Sequence, residues 1–419
     1  MFLGFDTTGV KLSSQSSRAV LPAGTITPEP AVVQPPLRDD ASAGSKRLPC
    51  LDGLRACAIA AVILCHGENQ LNWKLPPLAD AVVLHLWGTL GVFFFFGLSG
   101  YLITTLLVRE YSSTGEISLK KFYLRRAFRI LPPLFLFLVT IVCLNLAGVI
   151  QIPWHSIVLS SLFLQNYNFF PYIPYSDNHY IGHLWTLSAE EQFYLLWPFA
   201  LAWLGPKHMR KVALLLALAA PGVRICHYFL FPGLRSKLLV MFHTSYDIFL
   251  WGCLLALCSG DSRLESILKR FRSVGWFYLV VLFYVTGEPA LETYFRGTYE
   301  LTVGMTLRGL CVVFIIAWLG RNLGSWPAKF LNLASMRALG ILSYSLYIWQ
   351  QLFIGKCEHT FSNSFIVCTS AALTTACASY FLLEKPFLKL RRRLSAGYCF
   401  SRAGRTAPPA PIAVTEPAG

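Results

Sequence analysis

Charge is what this sequence has least of: Asp, Glu, Lys and Arg make up 14% of its 419 residues, while 55% are hydrophobic. Ordinary globular domains carry roughly 25% charged residues, and a soluble domain of this size cannot hide so much apolar surface. The apolar/polar alternation of an outer-membrane barrel, with its period of two, is also missing. The twelve cysteines show neither C-x-x-C nor Cys/His ligand spacing. Several of them (Cys57, Cys65, Cys143, Cys253, Cys258, Cys311) fall inside apolar blocks and read as small core hydrophobes, so no metal is called for. The apolar start at residues 1–5 is too short for a cleavable signal peptide and has no basic n-region. No convincing internal repeat is present, which counts against the alternative of a glycan-intermediate transporter or flippase built from matching halves with broken helices.

What the sequence does have is Leu, Phe, Val and Trp in blocks of roughly 17 to 25 residues, the length of a helix that crosses about 30 Å of hydrocarbon. Backbone groups in lipid must be satisfied within each segment, so an all-α, polytopic membrane helix bundle is expected. Spans are predicted at about 50–68, 83–107, 130–150, 184–204, 212–231, 242–258, 274–287, 301–319, 339–356 and 363–383, which makes about ten. They sit in a domain covering 48–393, between disordered tails at 1–47 and 394–419 that are rich in Pro, Ser and Ala or in basic residues.

The net charge of +15 is not gathered into one soluble patch, so no nucleic-acid partner is expected; it lies between the apolar blocks. Loop 108–129 holds six Lys and Arg and the next loop, 151–183, holds none. Further clusters fall at 205–211, 259–273, 320–338 and after 384, whereas the opposite loops hold only Lys74, Arg224, Arg235, Lys237, Arg296 and Lys356. Short cytoplasmic loops carry the basic excess, which predicts both termini in the cytoplasm and a multi-pass protein of the inner (plasma) membrane. No loop is long enough for a second catalytic domain, so any chemistry must be built inside the bundle.

Ionisable residues inside a span are costly and therefore candidates for function. Arg55 and His66 are eleven residues apart, close to three helical turns, and share a face about 16 Å apart along the axis. A neutral imidazole, with an ordinary pKa of about 6.5, can take a hydroxyl proton, although a histidine hydrogen-bonded between helices fits the pattern as well. Arg126 and Arg129 are neighbours on one helical face, and their forked guanidiniums suit either phosphate recognition or a plain positive-inside anchor. Ser188 and Glu191 have the spacing of a capping box, which leaves Glu190 without a structural explanation. Glu190 shares a face with His183 if the helix already begins at His183. Small residues at 97, 99 and 100 predict close helix packing. Asp247 and Arg308, each near an outer span end, are expected to pair.

Taken together these stretches resemble the acyltransferase 3 family of integral membrane acyltransferases. Leu51-Asp52-Gly53-Leu54-Arg55 followed by His66 looks like its Arg-x10-His signature, and residues 91–103 resemble G-V-x-x-F-F-x-x-S-G-F/Y-L-I. Residues 122–132 resemble F-Y-x-R-R-x-x-R-I-x-P, and 183–198 resemble H-L-W-S/T-L-S-x-E-E-Q-F-Y-x-x-W-P. Ser343-Tyr344-Ser345-Leu346-Tyr347 and Leu383-Glu384-Lys385-Pro386-Phe387 complete the set, in family order across about 48–393.

The resemblance implies transfer of an acyl group, acetyl being expected, from cytoplasmic acyl-CoA to a hydroxyl of a glycan or glycan-lipid of the cell envelope. It makes His66 the catalytic histidine, as general base or transient acyl carrier, with Arg55 in the same signature. Arg126 and Arg129 would hold the CoA phosphates. Glu190 would join the catalytic group, and His183, Tyr194 and Asp247 would face the acceptor. The chain departs from the family at Gln350 and Gln351, where a histidine is frequent, at Phe93, often polar or charged, and at Ser245, often arginine. These departures are expected to bear on the acceptor pocket and not on the donor site.

Overall fold

The computed structural model describes residues 48–67, 77–168, 179–295, 297–355, 364–391 and 393, with no side chains for 77–87. The expected tails, and Lys74, Arg296 and Lys356 of the expected outer loops, lie outside the described residues.

All regular structure among the described residues is helical. The chain begins with α1 (Pro49–His66), α2 (Pro77–Thr114) and α3 (Leu119–Leu146). A short α4 (Trp154–Ser161) and the turn His179–Gly182 precede the long α5 (Leu184–Leu230). Next come α6 (Asp247–Leu257), the surface helix α7 (Ser262–Arg270), α8 (Val274–Leu282), α9 (Glu288–Phe295) and α10 (Met305–Arg321). The order ends with α11 (Trp326–Leu331), α12 (Ala334–Trp349) and α13 (Phe365–Ser379). Among the described residues seven helices are long and apolar enough to cross a membrane by length and composition. On α5 the large side chains of Leu195, Phe199 and Trp203 stay exposed, which suits lipid as the solvent.

Two boundaries move in ways that matter for the site. Helix α3 starts at Leu119, not near 130, because Ser118 caps it by accepting from the Lys121 backbone N–H. Phe122 to Arg129 are thereby helical and not loop. Pro132 and Pro133 lie inside the same helix; without N–H groups they leave the carbonyls four residues back without their usual partners. Helix α5 runs through both predicted spans and breaks only at Gly205, whose φ of 71° and ψ of 160° require glycine. The predicted capping box is overturned as well. Ser188 lies inside α5, where its hydroxyl donates to the Leu184 carbonyl (3.0 Å) and accepts from the Gln165 N–H (3.2 Å).

Helix α2 packs against α1 on one side and α6 on another. A Cβ on Gly100 would run into the Phe249 carbonyl, and one on Gly252 into the Gly97 carbonyl, so α2 and α6 cross backbone to backbone. This bears out the packing expected of the small residues at 97 and 100.

The expected pair of Asp247 with Arg308 does not form. Asp247 is fully buried and both of its oxygens take the Arg224 guanidinium, at 3.0 and 3.1 Å. Arg224, read from sequence as a charge of the outer loops, is 1% exposed and also donates to Thr306 and to the Thr244 carbonyl. Arg308 is held instead by three glutamates, Glu288, Glu300 (2.6 Å) and Glu292 (3.1 Å), with its guanidinium 5.5 Å from the centre of the Phe93 ring. Helical spacing does not name most of these partners, because Arg224 with Asp247 and Arg308 with Glu288 and Glu292 join different helices, 16 to 23 positions apart; Glu300 shares the continuous helix of Arg308.

Candidate functional site

Glu190 and Tyr194 are four apart on α5 and therefore project from one face. Across from them stands Ser99 of α2, whose hydroxyl donates to Glu190 Oε1 (2.9 Å) and shares a hydrogen bond with the Tyr194 hydroxyl (2.9 Å). The Tyr194 hydroxyl also reaches Glu190 Oε2 at 3.4 Å. The Arg126 guanidinium lies 4.7 Å from the centre of the Tyr194 ring, so the tyrosine links the carboxylate network to the arginines. Arg55, whose Nη1 donates to Asp52 (3.2 Å), and Arg129 complete a cavity that α12 closes with Ser343, Tyr344 and Tyr347.

Five helices, α1, α2, α3, α5 and α12, supply this cavity. The proline pair in α3 follows one turn after Arg129, and the Tyr344 hydroxyl donates to the nearby Ile130 carbonyl (2.8 Å), which ties α12 to the arginine helix. Ser345, one residue further, donates to Glu384, so two of the six sequence motifs meet directly. Among the described residues no carboxylate lies within ion-pair distance of Arg126 or Arg129.

His66 does not line this cavity. It ends α1, three turns beyond Arg55, and its Nδ1 lies 3.0 Å from Gln350 Oε1. Gln350 opens a 3-10 turn, Gln350–Leu352, in which Gln351 Oε1 accepts from the His183 backbone N–H (3.3 Å). His183 sits at the N-terminal boundary of α5, where its Nε2 donates to the Ile348 carbonyl (3.2 Å) while its buried Nδ1 has no hydrogen-bond partner. The His183 carbonyl accepts from the Tyr347 hydroxyl at 2.5 Å.

The structure thus gathers Arg55, Arg126, Arg129, Glu190 and Tyr194 around one cavity, and His66 with His183 around one turn of α12's C-terminal end. It does not bring Asp247 to either group, since Arg224 and Thr306 take both its oxygens. Sequence reasoning missed Ser99, which it read only as a small packing residue, although a hydroxyl between two helix-contact glycines is a usable signal. Gln350, one of the departures expected to bear on the acceptor pocket, contacts His66 itself. The Ser245 hydroxyl donates to the Met241 carbonyl within its own turn (2.9 Å), and the nearby guanidinium comes from Arg224.

Comparison with known proteins agrees with the motif order. A model of the acyltransferase 3 type, described as an acyltransferase domain, matches residues 48–384. The chain is similar to the protein named O-acetyltransferase OatA of Staphylococcus aureus strain NCTC 8325 / PS 47, with 30% identity over 343 residues, 76% of this chain and 52% of that protein. The OatA of strain COL gives the same figures, 30% over 343 residues. The chain therefore spans about half the length of the curated relatives it matches. No solved structure matches it.

Proposed function

This chain belongs to the acyltransferase 3 family, and we propose that it is a membrane O-acyltransferase that moves an acetyl group from cytoplasmic acyl-CoA to a hydroxyl of a glycan or glycan-lipid. The observation that carries this reading is the cavity in which Arg126 and Arg129 stand beside Arg55, Glu190 and Tyr194 with no carboxylate among the described residues at ion-pair distance from either. Guanidiniums not engaged in ion pairs inside a bundle are suited to bidentate phosphate binding. The relatives' printed name, O-acetyltransferase, favours acetyl as the group.

In this reading the phosphates of the donor rest on Arg126 and Arg129 near the cytoplasm, and its thioester arm extends along α1 from Arg55 toward His66, about 16 Å on. His66 takes the proton of the acceptor hydroxyl as that oxygen attacks the thioester carbonyl, and returns it to the departing thiolate. Transient acylation of His66 itself is the variant of the same step. His183 belongs to the acceptor end with His66, and Glu190 with Tyr194 holds the acyl-bearing arm. The topology follows the Lys/Arg distribution: about ten spans, both termini cytoplasmic, in the inner membrane. The helix broken at Gly205 counts as two spans, and the shorter α6 and α12 complete the set.

The test is incubation of the purified protein with radiolabelled acetyl-CoA and a cell-envelope extract. Label on a saccharide is expected, and its absence with every acyl donor tried favours a transporter. His66→Ala is expected to lose transfer by at least the ~10²-fold that a positioned base supplies, with the protein still in the membrane. Full activity in that variant defeats the mechanism.

A further inference from the structure

We propose that Gln350 is the positioning residue for His66, its amide oxygen holding the imidazole as the Nδ1–H tautomer so that the Nε2 lone pair is the one available to a hydroxyl proton. The inference rests on the reading of His66 as base or acyl carrier, since both roles need a free ring nitrogen. It stands on three features of the contact. The Nδ1 to Oε1 distance of 3.0 Å is that of a direct hydrogen bond. Gln350 is fully buried, so no water competes for the amide. The backbone that carries the side chain is also fixed. Its backbone caps α12, with its N–H on the Leu346 carbonyl, and its carbonyl accepts from Phe353 (3.0 Å) and Ile354 (2.9 Å).

An amide oxygen can only accept, which obliges Nδ1 to carry the proton and leaves Nε2 unprotonated. The reversed amide would put the proton on Nε2 and leave no base. Gln350 Nε2 has no hydrogen-bond partner among the described residues, so the contact with His66 alone orients the amide, and a carboxylate at 350, which accepts through either oxygen, tests that orientation. Among the described residues the titratable groups acting on this end of α1 are His179 and His183, on the turn and helix boundary beside it, and neither is a carboxylate. Among the described residues Gln350 is thus the neutral group that contacts the His66 ring, in the place where other histidine bases have an anionic one.

The experiment uses the full-length protein with radiolabelled acetyl-CoA and envelope extract, comparing Gln350→Met, Gln350→Glu, Gln351→Met and His66→Ala at equal amounts in the membrane. Gln350→Met keeps the volume and removes the acceptor. It is expected to lower kcat at least tenfold, within the ~10²–10⁴ range of a positioned base, with KM for acetyl-CoA unchanged. Gln350→Glu can only accept when ionised, so it is expected to keep activity and to move the acid limb of the kcat profile to higher pH, because an anionic partner holds the imidazolium. Gln351→Met disturbs the same turn through His183 without touching His66, and is expected to leave the position of that limb where it is in the unsubstituted protein. If Gln350→Met keeps full kcat, or Gln350→Glu leaves the pH limb where it was, the positioning role is overturned while an inactive His66→Ala preserves the base. An active His66→Ala removes the base reading itself.

Discussion

Four arginines inside the bundle fall into two kinds of surroundings. Arg224 and Arg308 are 1% exposed and saturated: one by both oxygens of Asp247, the other by Glu288, Glu292 and Glu300. Arg126 and Arg129 are half-buried, face a cavity, and among the described residues meet rings and polar groups but no ion-paired carboxylate. The residue type is the same in each case, and the partner decides what the residue is for. A guanidinium whose donors are already occupied offers nothing to a ligand and serves to join helices. One whose donors point into a cavity retains its binding capacity, which is what a phosphate-bearing donor needs.

The sharpest way to break this comparison is Arg308→Ala. It would strand three glutamates in the bundle, and loss of one partner from a buried ion pair costs roughly 3–5 kcal/mol. The expected result is little folded protein after detergent extraction, measured by size-exclusion yield; a normal yield would remove the structural assignment. Arg224→Ala strands a single carboxylate and is expected to lower the thermal midpoint by less than Arg308→Ala, in the same assay.

Arg126→Lys is expected to leave that midpoint unchanged while raising KM for acetyl-CoA about tenfold to a hundredfold, since hydrogen bonds to charged groups are worth ~1.5–3 kcal/mol and lysine cannot reproduce the fork. Unchanged kinetics would return Arg126 to the role of an anchor.

The smallest effect is at the surface. Hydrogen bonds from Arg210 and Arg321 hold the Asp261 and Glu265 carboxyls below their ordinary values of 3.8 and 4.5. Their contribution is present above those values and is lost as pH falls through the lowered ones, so melting scans should show a slight acid-side loss. Asp261→Asn with Glu265→Gln should flatten it. No change in the slope would show that the exposed pairs contribute nothing.

Apolar block length and the scarcity of charge were enough to establish a helical membrane protein, because hydrocarbon leaves a backbone almost no other solution. The motif order established the family, and the i, i+4 spacing of Glu190 with Tyr194 and the i, i+3 spacing of Arg126 with Arg129 were visible as shared faces. Sequence could not say what those faces meet. Periodicity is a property of one helix, whereas an ion pair or hydrogen bond depends on which helices lie side by side and at what depth. Thus Asp247 was matched to the wrong arginine, Ser99 was taken only as a spacer, and the contact of Gln350 with His66 was not foreseen. The packing of α2 between α1 and α6, and of α12 against α1, α3 and α5, decided these. It set which guanidiniums were neutralised by carboxylates and which were left facing a cavity. It also set a neutral amide, and not a charge, against His66.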